Sequence, residues 1–290
     1  MSVIAMLVPW STIVHLLKGL KHETVALLLL MSVVYYLAKT LRFWIMLSQL
    51  GVKKPFLLVA MSYISAQPVS LLPAGELYRS ALLKKYADVP VHKSSPTVVM
   101  QGLIEAIVLL TAALIGAISL GKNQILVLAA AVILILLLIA IKRGWLAAAG
   151  RSLNKLPFVH LSSQKLDRFF GDNKIFLTWQ NLPTLLLMTI FPIAAGIMIV
   201  YLAAGSVGSH LSLMQSTIAY CLPVVLSGLS FLPGGLGASE GGTIGLLHLM
   251  GMGVPEAVAV TLIVRVFTLG AGLLFGVIGI IVANIWEAKQ

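Results

Sequence analysis

The chain has 290 residues, 59% of them hydrophobic and 10% charged, with a mean hydropathy of +1.03 and a formal net charge of +11. These values exclude a soluble domain and describe a polytopic membrane protein. On such a chain a basic excess marks cytoplasmic loops rather than nucleic-acid binding, and the lone Cys221 excludes an intrachain disulfide or a cysteine-based metal site.

Val3 to Leu17 is apolar but broken by Pro9 and His15, and it lacks the basic start and cleavage site of a signal peptide. A short, partly buried or interfacial helix is expected over 3–17. Thr24 to Leu47 has the length of a membrane span, which takes roughly 20 apolar residues. It leads to Lys53 and Lys54, so that end is predicted to be cytoplasmic. Lys39 and Arg42 share a face of this span and are expected to snorkel toward headgroups.

Phe56 to Leu72 is apolar until Pro73-Ala74-Gly75-Glu76 interrupts it, and Leu77 to Tyr86 continues to Lys84, Lys85 and Lys93. Both ends of this segment are basic, so a hairpin entering and leaving on the cytoplasmic side costs less than a crossing. Pro96 to Leu120 then crosses outward, Gly121 to Gln124 turns, and a linking helix over 125–141 returns. A basic loop over 142–181 follows, carrying Lys142, Arg143, Arg151, Lys155, Lys165, Arg168 and Lys174 against Asp167 and Asp172. It anchors the topology in the cytoplasm.

Leu182 to Ala204 crosses outward to the uncharged Gly205-Ser206-Val207-Gly208-Ser209-His210. Leu211 to Leu232 enters from that side, breaks at Pro233, and resumes from Ser239 to about Met252. Ala257 to Trp286 then returns to the inside. The second broken segment is therefore expected to be a hairpin from the external face, meeting the first near the midplane. In this scheme Lys18 and Lys21 fall outside.

The run Phe231-Leu232-Pro233-Gly234-Gly235-Leu236-Gly237-Ala238-Ser239-Glu240 concentrates the chemistry. Non-helical backbone at membrane depth is tolerated only inside protein or along a watery cavity, and an ionisable residue there points to function. Pro73 and Pro233 stand 160 positions apart, and each is followed 32 positions later by an ionisable residue in an apolar span, Glu105 and Arg265 respectively. Span, hairpin, span thus recurs over 24–120 and 182–286. With the linking helix between them the second unit is inverted, an architecture of many secondary transporters. The expected fold is an all-α polytopic membrane protein, a single transmembrane domain over 1–290, built as an inverted repeat with two re-entrant broken-helix hairpins.

Segments beginning near Gly75 and Ser239 would aim two helix N-termini, which favour anions, at the bilayer centre. With Arg79 and Arg265 they can hold a lipid phosphate. Glu76, Glu105 and Glu240 would repel phosphate, so each must pair with an arginine, be protonated, or bind a cation. Simpler roles stay open: Glu76 and Arg79 pairing on one helix face, Ser239 as an N-cap, Glu105 and Arg265 as a structural pair joining the halves, and Arg265 as the partner of Glu240. His248 lies on the face of Glu240, but one His and one Glu make no metal site. Gly270, Gly272 and Gly276 read as close helix packing. Pro233 to Gly237 lacks the lysine and hydroxyl residue of a nucleotide P-loop.

The order of motifs resembles the lysylphosphatidylglycerol synthase/flippase transmembrane family: Arg42-Phe43; Pro73, Gly75, Glu76 and Arg79; Glu105, with Ala106 where an arginine commonly follows; Pro233 to Glu240; and Arg265. The family's first helix is shortened here to Val3 to Leu17. The resemblance implies a stand-alone, flippase-like module without the soluble synthase domain, in the prokaryotic cytoplasmic membrane. It implies a lipid transporter that moves a phospholipid or polyprenyl-linked lipid between leaflets, without enzyme activity, cofactor or metal. Membrane lipids with an anionic headgroup are the expected partners, with a second copy or a biosynthetic enzyme as further ones. Two other functions remain: a non-transporting subunit of a lipid or glycan biosynthesis complex, and an intramembrane enzyme acting on lipid headgroups.

Overall fold

The computed structural model describes residues 10–72, 75–120, 174–178, 180–229 and 233–287. The regular elements among them are all helical. In chain order they are α1 (Trp10–Lys18), α2 (His22–Gln49), α3 (Phe56–Ser65), α4 (Tyr78–Ala87), α5 (Val91–Leu120), α6 (Leu182–Ser206), α7 (Leu213–Leu229), α8 (Ala238–Leu249), α9 (Val254–Arg265) and α10 (Ala271–Glu287). The linking helix expected over 125–141, residues 3–9 of the first helix, Pro73 and most of the loop 142–181 lie outside the described residues. The end of that loop forms a 3-10 turn, Lys174–Leu177.

Among the described residues, four helices are long and apolar enough to cross a membrane: His22–Gln49, Val91–Ser119, Leu182–Ser206 and the joined Val254–Glu287. Their outward faces carry bare hydrocarbon, including Leu29, Leu30, Val33 and Leu37 on α2 and Ile278, Ile281 and Ile285 on α10. Apolar surface that continuous suits lipid rather than water. The protein is an integral membrane protein.

The helices start and stop where local chemistry dictates. Helix α5 begins at Val91, before the expected Pro96, which lies inside its second turn and leaves one carbonyl of the first turn without its helical donor. Asp88 ends α4 in the left-handed region at φ 50°, where Asp and Asn are among the more tolerant residues. Between α9 and α10 the helix does not break but widens into a π turn, Val266–Gly270. Such a turn disturbs the carbonyl ladder. Two hydroxyls on α2 compensate: Ser32 donates to the Phe267 carbonyl at 2.5 Å and Tyr36 to the Thr268 carbonyl at 2.8 Å.

Helices α2 and α6 pack along their lengths. They run antiparallel, since Met46 clusters with Leu185 while Leu28 shares a core with Ile199, Val200 and Ala203. The end bearing Met46 also gathers Lys53, Lys54, Lys84 and Lys85: the Trp44 indole donates to the Lys54 carbonyl at 2.9 Å, and Lys85 meets Glu287 at 2.8 Å. Helix α3 starts and α4 ends at this basic end, the two packed on each other. Helices α7 and α8 likewise pair, but α7 starts beside Gly116 near the other end of α5. The contacts are crossed: α3 lies against α10, the last long helix of the second half, and α7 lies against α5, the last of the first half. The two breaks touch, with 3-10 turn Val69–Leu71 against 3-10 turn Pro233–Gly235.

Candidate functional site

Each break is built from close backbone approaches. In the first, a side chain on Gly75 would run into the Val69 carbonyl. In the second, Gly234, Gly235 and Gly237 have φ of 60°, 66° and 90°, conformations that favour glycine. A side chain on Gly235 would strike the Ser227 hydroxyl of α7. Gly234, Gly235 and Gly237 turn the backbone at the second break, while Gly75 permits a close approach at the first.

Helix α8 starts at Ala238, and Glu240 reaches back so that its Oε2 accepts the Gly237 backbone N–H at 2.6 Å. Gly237, not Ser239, is thus the N-cap. The reason is that the chain approaches through a positive φ open to glycine, leaving Ser239 inside the first turn, where it lines the cavity described next. The other oxygen of Glu240 lies 2.8 Å from Arg265 Nε. That N–H does not point along the contact, so this is an ion pair and not a hydrogen bond. Arg265 also donates from Nη2 to the Gly235 carbonyl at 3.5 Å.

At the first break, Arg79 is 5% exposed and Glu76 is 53% exposed, paired at 3.2 Å three residues apart. The Arg79 guanidinium sits 4.3 Å from the centre of the Tyr63 ring, a cation–π contact. Its Nε is buried with no hydrogen-bond partner. A charged donor left unsatisfied at depth is costly.

The third acid, Glu105 on α5, pairs with neither Arg79 nor Arg265. It takes Lys39 at 2.9 Å and Arg42 in a short ion pair, both on α2. Arg42 is 1% exposed and fully engaged. Its Nη1 donates to Thr189 Oγ1 at 3.1 Å, and the Gln101 amide oxygen, oriented to satisfy both groups, accepts from Nε and Nη2 at 3.1 and 2.9 Å. The expectation that Lys39 and Arg42 snorkel is therefore corrected. Lys39 lies ten residues before the helix end, about 15 Å of rise, beyond the reach of a lysine stem, and a buried acid awaits it.

A cavity of about 500 Å³ lies between the two breaks. Lys39, Arg79 and Arg265 line it together with Glu76, while Glu105 and Glu240 do not. Tyr35, Tyr36, Tyr63 and Tyr220 supply aromatic walls, and Leu71, Gly234 and Gly235 bring both tips to it. Gly196 on α6 leaves the slot that Tyr220 fills. Glu76, Arg79 and Arg265 thus converge, whereas Glu240 and Glu105 stand outside the cavity, each paired with a cation that lines it. Sequence reasoning missed the four tyrosines, whose only signal was a polar tip inside apolar helices. Outside the cavity, His248 Nδ1 lies 3.0 Å from the Met252 carbonyl. As expected, Gly272 and Gly276 are packing residues, seated against Tyr36 and against Pro68 and Ile64.

An all-helical membrane protein whose two broken segments face each other across a cation-lined cavity is the class defined by this geometry. The chain belongs to the family described as the lysylphosphatidylglycerol synthase TM region, whose family model matches residues 1–276. None of the curated proteins matches it.

Proposed function

We propose that this protein is a transporter that moves an anionic phospholipid or polyprenyl-linked lipid between the leaflets of the prokaryotic cytoplasmic membrane. The observation that carries the reading is the cavity between the tips, where three cationic side chains face a single carboxylate. A lipid phosphate entering it gains charge-assisted hydrogen bonds and relieves the unpartnered Arg79 Nε. Membership of a lipid-associated transmembrane family favours the same class of substrate.

In this reading the basic end of the bundle is cytoplasmic, and α3–α4 and α7–α8 are re-entrant hairpins from opposite faces. The crossed packing of α3 on α10 and α7 on α5 supports an inverted repeat, with each half holding the other's hairpin. Transport proceeds by rocking of one half against the other, so that the phosphate stays between the tips while the tails remain in hydrocarbon. Binding of the lipid shifts the balance of inward and outward states.

Leaflet-resolved assays in liposomes test the proposal. Wild-type protein is expected to move headgroup-labelled phospholipid across the bilayer, and Arg265→Ala is expected to slow that movement by about 10- to 100-fold, the value of a lost charge-assisted contact. Purified protein that moves no candidate lipid under any gradient, or that releases a chemically altered lipid, overturns it.

A further inference from the structure

The cavity's charge specifies more than the sign of its ligand. Resting on the transport reading, we infer that Glu76 is a charge filter that restricts the site to singly charged phosphodiester headgroups and excludes doubly charged phosphomonoesters.

The three acids differ in how far they are committed. Glu105 is held by Lys39 and Arg42, and Glu240 by Arg265 and the Gly237 N–H. Neither lines the cavity. Glu76 does line it, is more than half exposed, and makes one pairing contact, to Arg79 at 3.2 Å. That is longer than the roughly 2.7–2.9 Å of a tight charge-assisted bond. Arg79 itself is buried and retains an unpartnered Nε, so the Glu76 contact leaves it donor capacity for a ligand.

Across the connected groups, Lys39, Arg42, Arg79 and Arg265 against Glu76, Glu105 and Glu240 leave one formal positive charge. A phosphodiester carries one negative charge and brings the site to neutrality. A phosphomonoester above its second ionisation near pH 6 carries about two, and the excess is buried beside Glu76. Uncompensated charge in a site of low dielectric is strongly disfavoured. Glu76 is thus suited to selectivity more than to affinity: it lowers the positive potential to the value that one diester cancels.

The test is competitive binding to the full-length protein in detergent at pH 8, read by native mass spectrometry with short-chain phosphatidylglycerol as the diester and phosphatidic acid of the same chains as the monoester. Wild type is expected to prefer the diester. Glu76→Gln removes one negative charge with little change in shape and is expected to shift the preference toward the monoester by about tenfold, in line with one unit charge acting over several ångströms at intermediate dielectric. Glu76→Asp, which keeps the charge, is expected to keep the wild-type preference. An unchanged ratio in Glu76→Gln, or a wild type that already prefers the monoester, overturns the filter. Arg265→Gln separates this from failure of the transport site: it is expected to weaken both lipids, and if it weakens neither, the cavity is not the lipid site and both proposals fall.

Discussion

Two groups of charge lie inside this bundle, and they differ in how completely they are satisfied. Around Arg42 every guanidinium nitrogen has a partner, from Glu105, Thr189 and Gln101, and the group fastens α2 to α5 and α6. Around Arg79 and Arg265 the contacts are longer or misdirected, each arginine keeps a buried nitrogen without a hydrogen bond, and both side chains face an open volume. The Arg42 guanidinium has no donor left to offer a ligand; the undersatisfied arginines, and Lys39 at the cavity edge of the Glu105 cluster, do. In the proposed reading, intramembrane charge divides into a part that holds the bundle and a part that binds.

The sharpest way to break that division is to remove one acid from the saturated group. Glu105→Ala leaves Arg42 buried without its carboxylate and Lys39 without its pair. Removing one partner of a buried pair costs about 3–5 kcal/mol, so the variant is expected to lose most folded protein, or to melt far below wild type in detergent. Arg265→Ala is the counterpart. It is expected to stay folded, because Glu240 keeps its bond to the Gly237 N–H, while transport falls as described above. If the two variants are equally unstable, the division between holding and binding charge is wrong.

The next effect in size concerns the backbone of the second tip. Gly235→Ala puts a methyl at φ 66° and against the Ser227 hydroxyl. Strain of this kind costs of order 1–3 kcal/mol, and a lowered melting temperature is expected. Gly102→Ala, inside α5 with open space around it, serves as the contrast and is expected to melt at or slightly above wild type, since alanine favours a helix over glycine.

How much of this was legible beforehand follows from the same contrast. The breaks at Gly75 and at Gly234 to Gly237 were legible, because glycine and proline in an apolar run have few other uses. The span limits were legible too: Leu182–Ser206 runs only two residues beyond the expected Ala204, since hydropathy and helix length carry the signal. The pairing of charges was legible only for Glu240 with Arg265 and Glu76 with Arg79. The Glu105 cluster was not, because its partners sit on a helix 63 residues away in sequence, and only the packing of α2 on α5 brings them together. The π turn after Arg265 left no mark in residue type at all, since Val266 to Gly270 is compatible with an ordinary helix.

That π turn supplies the smallest and most local test. Its Thr268 carbonyl accepts the Tyr36 hydroxyl at 2.8 Å, and Gly272 leaves the space in which the tyrosine ring tip sits. Tyr36→Phe removes the donor but keeps the ring, so the packing against Phe275, edge to face at 5.6 Å, is retained. Helix–helix hydrogen bonds in membranes average about 0.6 kcal/mol, and a decrease of that order in unfolding free energy is expected. Because Tyr36 and Thr268 both line the cavity, the variant also frees a carbonyl beside the site. If the π turn is held open by α2, binding of the diester is expected to weaken together with stability. If it is intrinsic to 266–270, stability falls and binding does not, and the link between the first span and the second arginine is then confined to packing.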